Sequence, residues 1–190
     1  MIQGIDVASY QPETYATSGL DFVMVKATQG TSYINPRMGR QAATARSAGL
    51  VLGFYHFLET GNIAAQAQFF VDKCASLLGD LLVVDWETDP VAKTSPSNAE
   101  KDEFLAQLAH LRPTHQNGLY CNRDFWLNRD RTSVCGDFLW IADPDHAAGH
   151  PAIKHPWTIH QYGETGSTDK NVANFADRQA MREWARKKMG

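Results

Sequence analysis

Short apolar segments alternate with amphipathic segments along the whole chain. The apolar segments predict seven β-strands, at residues 2–7, 22–25, 51–57, 81–86, 118–122, 138–142 and 157–162. The run Leu81-Leu82-Val83-Val84 is apolar on both faces, which is typical of a parallel strand that is covered on both sides. The strand pattern therefore favours a mostly parallel sheet with helices packed against it.

The amphipathic segments between the strands predict four helices. The first begins at Asn35 and ends near Gly49, and the second ends near Gly79. The third begins at a capping box that starts at Ser97, and the fourth is capped by Asp177. Their apolar stripes are Ile63, Ala67, Phe70, Cys74 and Leu77 in the second helix, Phe104, Leu108 and Leu111 in the third, and Met181 and Trp184 in the fourth.

The β/α alternation allows either a closed barrel or an open, doubly wound sheet. The sequence contains neither GxGxxG nor GxxxxGK[ST], so the usual marks of a nucleotide-binding open sheet are missing. A complete barrel built from 190 residues must have short or missing helices. We therefore expect an α/β fold with one domain over residues 1–190.

Charge and composition exclude several classes of protein. The formal net charge is −3, from 18 basic and 21 acidic residues, which offers no basic excess for nucleic acid or an anionic membrane. Three cysteines without CxxC spacing predict neither a zinc ribbon nor a disulfide framework, and no cofactor is expected. The first residues show no basic leader followed by an apolar stretch, so we expect no signal peptide.

Acidic residues at the ends of apolar strands are the candidates for chemistry. Asp6 ends the first strand, Asp85 and Glu87 end the fourth, and Asp169 follows the seventh. Side chains alternate along a strand, so Asp85 and Glu87 share one face while Trp86 points away. Partial burial and a neighbouring anionic Asp85 are expected to raise the pKa of Glu87, and a carboxyl group that is still protonated near neutral pH can donate to a leaving group. A second carboxylate nearby completes the pair that glycoside hydrolysis requires.

Aromatic and amide side chains are concentrated at the same strand ends. Aromatic rings pack against the CH faces of sugars, and amides bind their hydroxyl groups, which indicates a carbohydrate cleft. The residues expected to bind substrate are Tyr55, Phe57, Tyr120, Trp140 and Gln161, with Asn122 as a further cleft candidate. Lys26 also follows a strand, and we expect it to pair with Asp6 or Asp85. His56 is the histidine best placed to orient a carboxylate.

Several of these segments together resemble glycoside hydrolase family 25, the lysozymes that act as N-acetylmuramidases. The resemblance extends from about residue 2 to about residue 175 and rests on the order and spacing of its motifs. These motifs are GIDVASYQ at 4–11, FVMVKATQG at 22–30, GFYHF at 53–57, VDWE at 84–87, GLY at 118–120, LWIA at 139–142 and QY at 161–162.

The resemblance implies an irregular, flattened TIM-like β/α barrel that cleaves the β-1,4 bond between N-acetylmuramic acid and N-acetylglucosamine. By matched motif, Glu87 is the proton donor, and Asp85 and Asp6 are the partner acids that position or stabilise. The last acid of the family lies in a D-x-N-x-F pattern. Asp169 begins D-x-N here, but position 173 is alanine and the phenylalanine is Phe175.

The resemblance also implies where the protein acts. Its partner is the glycan strand of bacterial peptidoglycan, reached either as a phage endolysin released from the host cytoplasm or as a secreted enzyme. The chain offers no room for a separate wall-binding domain, and we expect a monomer.

Two other functions remain open from the sequence. A metal-dependent hydrolase or deacetylase could use Asp6, His56, Asp85 and His160, although the paired H-x-H and H-x-x-x-H spacings are missing. A catalytically silent glycan-binding module on the same barrel is the third possibility. For a hydrolase, the separation of the two carboxyl groups decides between retention and inversion, and the acetamido group of the substrate is an alternative nucleophile.

Overall fold

The computed structural model describes residues 1–189 and shows a barrel surrounded by few helices. The strands are β1 Ile2–Val7, β2 Phe22–Gln29, β3 Tyr33–Ile34, β4 Val51–Phe57, β5 Leu81–Asp85, β6 Gln116–Asn122, β7 Phe138–Ala142, β8 Ile159–Thr165 and β9 Thr168–Ala173. The helices are α1 Met38–Ser47, α2 Ile63–Lys73, α3 Asn98–Leu111 and α4 Arg178–Arg186. A π-helical turn, Phe125–Arg129, follows β6, and a 3-10 turn, Lys187–Met189, follows α4.

Eight strands close the barrel in the order β1-β9-β8-β7-β6-β5-β4-β2, because β1 also pairs with β2. The pairs are parallel except those of β9, which runs antiparallel to both β1 and β8. The short strand β3 extends β2 outside the ring as an antiparallel partner. The prediction of an irregular TIM-like α/β barrel with short or missing helices is confirmed.

All seven predicted strands are present, and those at β1, β4 and β7 have the predicted bounds. The strands β3 and β9 were not predicted. The sequence of β9 is TDKNVA, whose first four residues are polar, so it lacks the apolar signal of the other strands. Its place in the barrel depends on pairing with β1 and β8 rather than on its own hydrophobicity.

The helix predictions hold with two corrections. The capping box Ser97–Glu100 and the Asp177 cap are both present. Helix α1 starts at Met38, because the Asn35 side chain accepts the N–H of Arg37 in a turn before the helix. Helix α2 ends at Lys73, so Leu77 lies beyond it and is exposed. None of the helices within residues 1–189 combines the length and the apolar character needed to cross a membrane.

Glycines on three strands allow large side chains to fill the barrel interior. Gly4, Gly53 and Gly118 are each in register with a large residue on the next strand, respectively Phe22, Met24 and Phe138. A Cβ atom added to any of them would lie 2.4–2.5 Å from that neighbour. The interior is therefore packed by large residues opposite glycine, which leaves no continuous channel in this part of the barrel.

Helix α4 closes the amino end of the barrel. Its Met181 and Ala185 are fully buried in the same apolar cluster as Ile2, Val51 and Leu81, the first residues of their strands. Gln116 Nε2 also donates to the carbonyl oxygen of Trp184 at 2.9 Å. The carboxyl ends of the parallel strands at the opposite rim are left available for a site.

Candidate active site

Four carboxyl groups meet at the carboxyl end of the barrel. Asp6, Asp85, Glu87 and Asp169 line a pocket of about 100 Å³. The other lining residues are Tyr55, Tyr120, Trp140 and Gln161. The structure therefore brings together all four acids that the sequence singled out, with four of the five residues expected to bind substrate.

The reversed direction of β9 brings Asp169 to this rim. Asp6 lies near the carboxyl end of β1, and Asp169 lies near the amino end of the antiparallel strand β9. The two residues are register partners, as are Gly4 and Asn171. Asp169 and Asn171 therefore lie on the face of the sheet that carries Asp6, because alternate residues of a strand share a face.

The departure from D-x-N-x-F has a structural explanation. Ala173 is fully buried beside Ile2 and Ile159, its register partners in the barrel. The ring of Phe175 lies instead 5.2 Å from the ring of Trp184 on α4. The register of Asp169 against Asp6 is continuous with that of Ala173 against Ile2, so no insertion displaces the acid.

Two chains of hydrogen bonds converge on the Asp6 carboxyl group. Asn171 Nδ2 donates to Asp6 Oδ2 at 2.7 Å, and Gln161 Nε2 donates to the same oxygen at 3.0 Å. Each amide is oriented from behind, since Trp140 Nε1 donates to Asn171 Oδ1 at 2.7 Å and Tyr120 OH donates to Gln161 Oε1 at 2.9 Å. The carboxyl group is thus held in a fixed orientation by donors whose own acceptors are occupied.

The protonation of Asp6 reflects a balance between burial and these donors. Burial and the negative charge of Asp169 raise the pKa of Asp6 to about 7, while the bonds from Asn171 and Gln161 oppose the rise. Burial and the charge of Glu164 also raise the pKa of Asp169, and its hydrogen bond with Asp6 lowers it. Asp6 and Asp169 consequently keep their protons to a higher pH than an exposed aspartate does.

Asp85 and Glu87 form a second carboxyl pair on the same face. Trp86 points away from them, and its indole nitrogen donates to the carbonyl oxygen of Pro96 at 2.8 Å. Burial and the Glu87 charge raise the pKa of Asp85 well above its ordinary value. Burial also raises the pKa of Glu87, as predicted, but the hydrogen bond with Asp85 lowers it. Burial and the charge of Asp169 therefore raise the Glu87 pKa, and the expectation that an anionic Asp85 raises it is wrong, because Asp85 contributes a hydrogen bond that lowers it.

One oxygen of the Asp85 carboxyl group is buried without a donor. Asp85 is only 5% exposed, and its Oδ1 accepts no hydrogen bond from an amide, amine or hydroxyl group of residues 1–189. A buried carboxylate oxygen without a donor is costly. This cost favours the protonated form of Asp85, in agreement with the raised pKa of the group.

Lys26 is close to the acids without forming an ion pair with them. Its Nζ donates to Gln29 Oε1 at 2.8 Å and lies 4.7 Å from the centre of the Phe57 ring. The expected pairing with Asp6 or Asp85 is not among the ion pairs of residues 1–189. Lys26 acts at longer range, where its positive charge lowers the pKa values of Asp85 and Glu87.

The acidic pocket opens into a groove of about 690 Å³. Asp6, Tyr55, Asp85, Glu87 and Asp169 line both cavities. The groove is also lined by Phe57, Lys26 and Tyr33 and by two loops, 8–11 and 89–92. Its walls thus combine aromatic faces with polar groups, as a carbohydrate cleft does.

The two histidines of the metal hypothesis lie outside this pocket. His56 is fully buried on the outer side of β4, where its ring nitrogens contact Thr28 Oγ1 at 2.8 Å and Gln66 Oε1 at 3.1 Å. His160 Nε2 contacts the backbone oxygen of Asp143 at 3.0 Å. The idea that His56 orients a catalytic carboxylate is wrong. Within residues 1–189 no group of three or more His, Cys, Asp or Glu side chains is arranged to hold a metal ion.

One predicted cleft residue lies elsewhere, and one site residue was missed. Asn122 accepts the N–H of Phe125 at 2.9 Å and so supports the π-helical turn. Asn171 belongs to the site through its bond to Asp6. The D-x-N motif contained it, but its function depends on β9 pairing with β1, which the polar sequence does not reveal.

Comparison with known proteins agrees with this geometry. The family model "Glycosyl hydrolases family 25" matches residues 5–171. An N,O-diacetylmuramidase of Chalaropsis is 41% identical over 88 residues, which are 42% of this chain and 42% of the relative. Lysozyme M1 of Streptomyces globisporus is 27% identical over 190 residues, covering 87% of this chain and 63% of the relative. The chain spans about half the length of the curated relatives it matches.

A solved structure shows the same fold over the full chain. The muramidase from Acremonium alcalophilum superposes with a TM-score of 0.80 at 25% identity, covering 98% of this chain and 99% of that one. The matched span includes Asp6, Asp85, Glu87 and Asp169, the four acids of the pocket. With a family model that matches most of its length and a barrel that superposes throughout, this chain belongs to glycosyl hydrolases family 25.

Proposed function

We propose that this protein is a lysozyme that hydrolyses the β-1,4 bond between N-acetylmuramic acid and N-acetylglucosamine in bacterial peptidoglycan. The observation that carries the proposal is the meeting of two carboxyl pairs with raised pKa values at the floor of one groove. Hydrolysis of a glycoside needs one carboxyl group that donates a proton and another that stabilises the positive charge of the sugar or activates its attacker. Family membership supports the same reaction.

Glu87 is the proton donor in this proposal. It is partly exposed and lines both the pocket and the groove, whereas Asp85 is buried beneath it. Burial keeps Glu87 protonated to a higher pH than an exposed glutamate. When the glycosidic oxygen approaches, Glu87 passes its proton to that oxygen, and the bond from the oxygen to the anomeric carbon breaks. Water then bonds to the anomeric carbon and gives up one proton to a carboxylate of the pocket, which restores the proton that Glu87 donated, while Asp85 stabilises the positive charge on the sugar.

Asp85, Asp6 and Asp169 are the partner acids. The two amides that donate to Asp6 favour its anionic form, so Asp6 can support positive charge that develops on the sugar ring. Asp169 lies beside it at the mouth of the pocket and adds negative charge. The substrate binds against Tyr55, Phe57, Tyr120, Trp140 and Gln161, which line the pocket or the groove.

The names of the relatives are consistent with this substrate. They include an autolytic lysozyme of Clostridium acetobutylicum and a lysozyme of Streptococcus phage Cp-9. We infer that the protein acts as a monomer on the bacterial cell wall, either released as a phage endolysin or secreted, and that residues 1–190 form one catalytic domain.

Digestion of purified peptidoglycan tests the proposal. Mass analysis of the wild-type products should show new reducing ends on N-acetylmuramic acid, and Glu87→Gln should lower their rate of formation by at least about a thousandfold. Glu103→Gln is the matched control, because Glu103 is an exposed glutamate on α3 outside the groove, and it should retain full activity. Acetate release without new reducing ends would instead indicate a deacetylase, and binding without cleavage would indicate a glycan-binding module.

A further inference from the structure

The turn that follows β1 contains a buried amide that the proposed chemistry does not use. The Gln11 side chain is only 8% exposed although it belongs to a loop that lines the groove. Its Oε1 accepts the N–H of Ala8 at 2.7 Å, and its Nε2 donates to the carbonyl oxygen of Ser167. Gln11 thus joins the loop after β1 to the turn between β8 and β9.

The loop that carries Gln11 is attached to helix α1. The Gln41 side chain of α1 is fully buried, and its Nε2 donates to the carbonyl oxygen of Ala8 at 2.8 Å. Arg37 Nη1 donates to the carbonyl oxygen of Gln11 at 2.6 Å. The loop of residues 8–11 is therefore held against α1 independently of the β8–β9 hairpin.

On the other side, the contact reaches the end of a hairpin that is otherwise exposed. The pairing of β9 with β1 begins at Asp169, which lies opposite Asp6. Ser167, in the turn, therefore lies two residues outside the part of the hairpin that pairs with β1. Residues 164–167 are all exposed. Among the side-chain hydrogen bonds of residues 1–189, the bond from Gln11 is the one that reaches this tip.

Electrostatic repulsion acts against this end of the hairpin. Asp169 faces Asp6 on β1 and Glu164 on β8, and its charge also raises the pKa of Glu87 beyond the end of β5. Like charges at such distances in a partly buried site repel one another by an appreciable amount. Once these carboxyl groups are ionised, the repulsion favours displacement of Asp169 from Asp6, so a contact at the hairpin tip bears directly on the position of Asp169.

We propose that Gln11 is a positioning residue, which anchors the hairpin tip through Ser167 and so keeps Asp169 beside Asp6 in the pocket. The inference rests on the proposed lysozyme function for its kinetic consequence. The predicted position and titration of Asp169 do not depend on that function.

Two substitutions of Gln11 test this by different means. Gln11→Met removes both hydrogen bonds without adding charge, and Gln11→Glu keeps an acceptor for Ala8 while removing the donor to Ser167. Each should lower kcat on peptidoglycan about tenfold or more and change KM less than twofold, because small displacements of reacting groups have large kinetic effects. Ser167→Ala is the matched control: it keeps the carbonyl acceptor and should behave as wild type.

The effect should depend on Asp169. In an Asp169→Asn background, adding Gln11→Met should lower kcat by less than a further twofold, since the positioned group is already lost. An undiminished tenfold loss in that background would overturn the inference, as would wild-type kcat in both Gln11 variants.

A measurement without substrate separates this inference from the proposed function. Carboxyl ¹³C NMR should show Asp6 and Asp169 titrating as an interacting pair in the wild type, with weaker interaction in both Gln11 variants. Unchanged titration in the variants would overturn the positioning role even if the enzyme is active. If the wild type leaves peptidoglycan intact but the Gln11 variants show the weaker interaction, only the lysozyme proposal would be overturned.

Discussion

Asp6 and Asp169 lie opposite each other on antiparallel neighbours, although 162 positions intervene between them in the sequence. Their carboxyl groups share one face of the barrel wall, and the negative charge of Asp169 raises the pKa of Asp6. The Asp6 carboxyl group also accepts hydrogen bonds from the side-chain amides of Asn171 and Gln161. The Asp6 carboxyl group is thus repelled by the charge of Asp169 and stabilised by two amide donors. The balance between these effects sets its charge state within the pocket.

The raised pKa of Asp6 predicts how stability depends on pH. The folded protein retains this proton up to about pH 7, while the unfolded chain loses it near pH 4. Between these values the folded state binds more protons, so Asp6 lowers the free energy of unfolding as the pH rises and contributes no further change above about pH 7.

Asp6→Asn removes the titrating group and with it the fall in unfolding free energy as the pH rises. The variant should unfold at higher urea concentration than the wild type at pH 8, with a gain of roughly 2–4 kcal/mol in unfolding free energy. The gain should be much smaller at pH 4. A gain that is the same at both pH values would contradict the assigned cause.

Trp140 should stabilise the protein through the hydrogen bond of its indole nitrogen as well as through the packing of its ring. Trp140→Phe removes the donor to Asn171 Oδ1 and leaves a buried oxygen without that partner, which costs about 1–3 kcal/mol of stability. The loosened amide also holds Asp6 less firmly, so the pKa of Asp6 should rise further. The ¹³C titration of Asp6 measures this shift.

Trp184→Phe provides the comparison for Trp140→Phe. Trp184 packs against Phe138 and Phe175 at the closed end of the barrel, far from the acids. It should lower stability while leaving the titration of Asp6 as in the wild type. If both variants move that titration equally, the bond from Trp140 is not its cause.

Lys26 should set the upper pH limit of activity. Its charge lowers the pKa values of Asp85 and Glu87, so Lys26→Met should raise both. Glu87 then remains protonated to higher pH, so the alkaline limb of the kcat profile should move to higher pH. Lys73→Met, which removes an exposed lysine from α2, should leave the profile unchanged. A downward shift would contradict the electrostatic role of Lys26.

The glycines of the barrel interior should not tolerate a methyl group. In Gly118→Ala the new Cβ atom would lie 2.5 Å from the Phe138 ring, so the variant should lose about 1–3 kcal/mol of stability through overpacking. Gly39→Ala is the contrast, because Gly39 has open space in α1 and should gain a few tenths to about 1 kcal/mol. Thermal unfolding of both variants measures the difference, and equal behaviour would refute the packing explanation.

The parallel strands and the candidate acids follow from the sequence because their signals are local. The run 81–84 and the strand Phe138–Ala142 are continuously apolar, and burial on both faces favours that composition. An acid at the carboxyl end of such a strand, as Asp85 is in β5, lies at the carboxyl rim of a parallel sheet however that sheet is closed. Family motifs added the roles that composition alone does not give.

The tertiary structure decided what depends on distant pairing. The polar strand Thr168–Ala173 acquires its conformation from β1 and β8, and only that pairing brings Asp169 and Asn171 to Asp6. The raised pKa values of Asp6 and Asp85 and the long-range effect of the Lys26 charge also depend on burial and on distances between side chains far apart in sequence. Local sequence determined which groups reach the rim, whereas the closure of the barrel determined which of them touch and so which charges they carry.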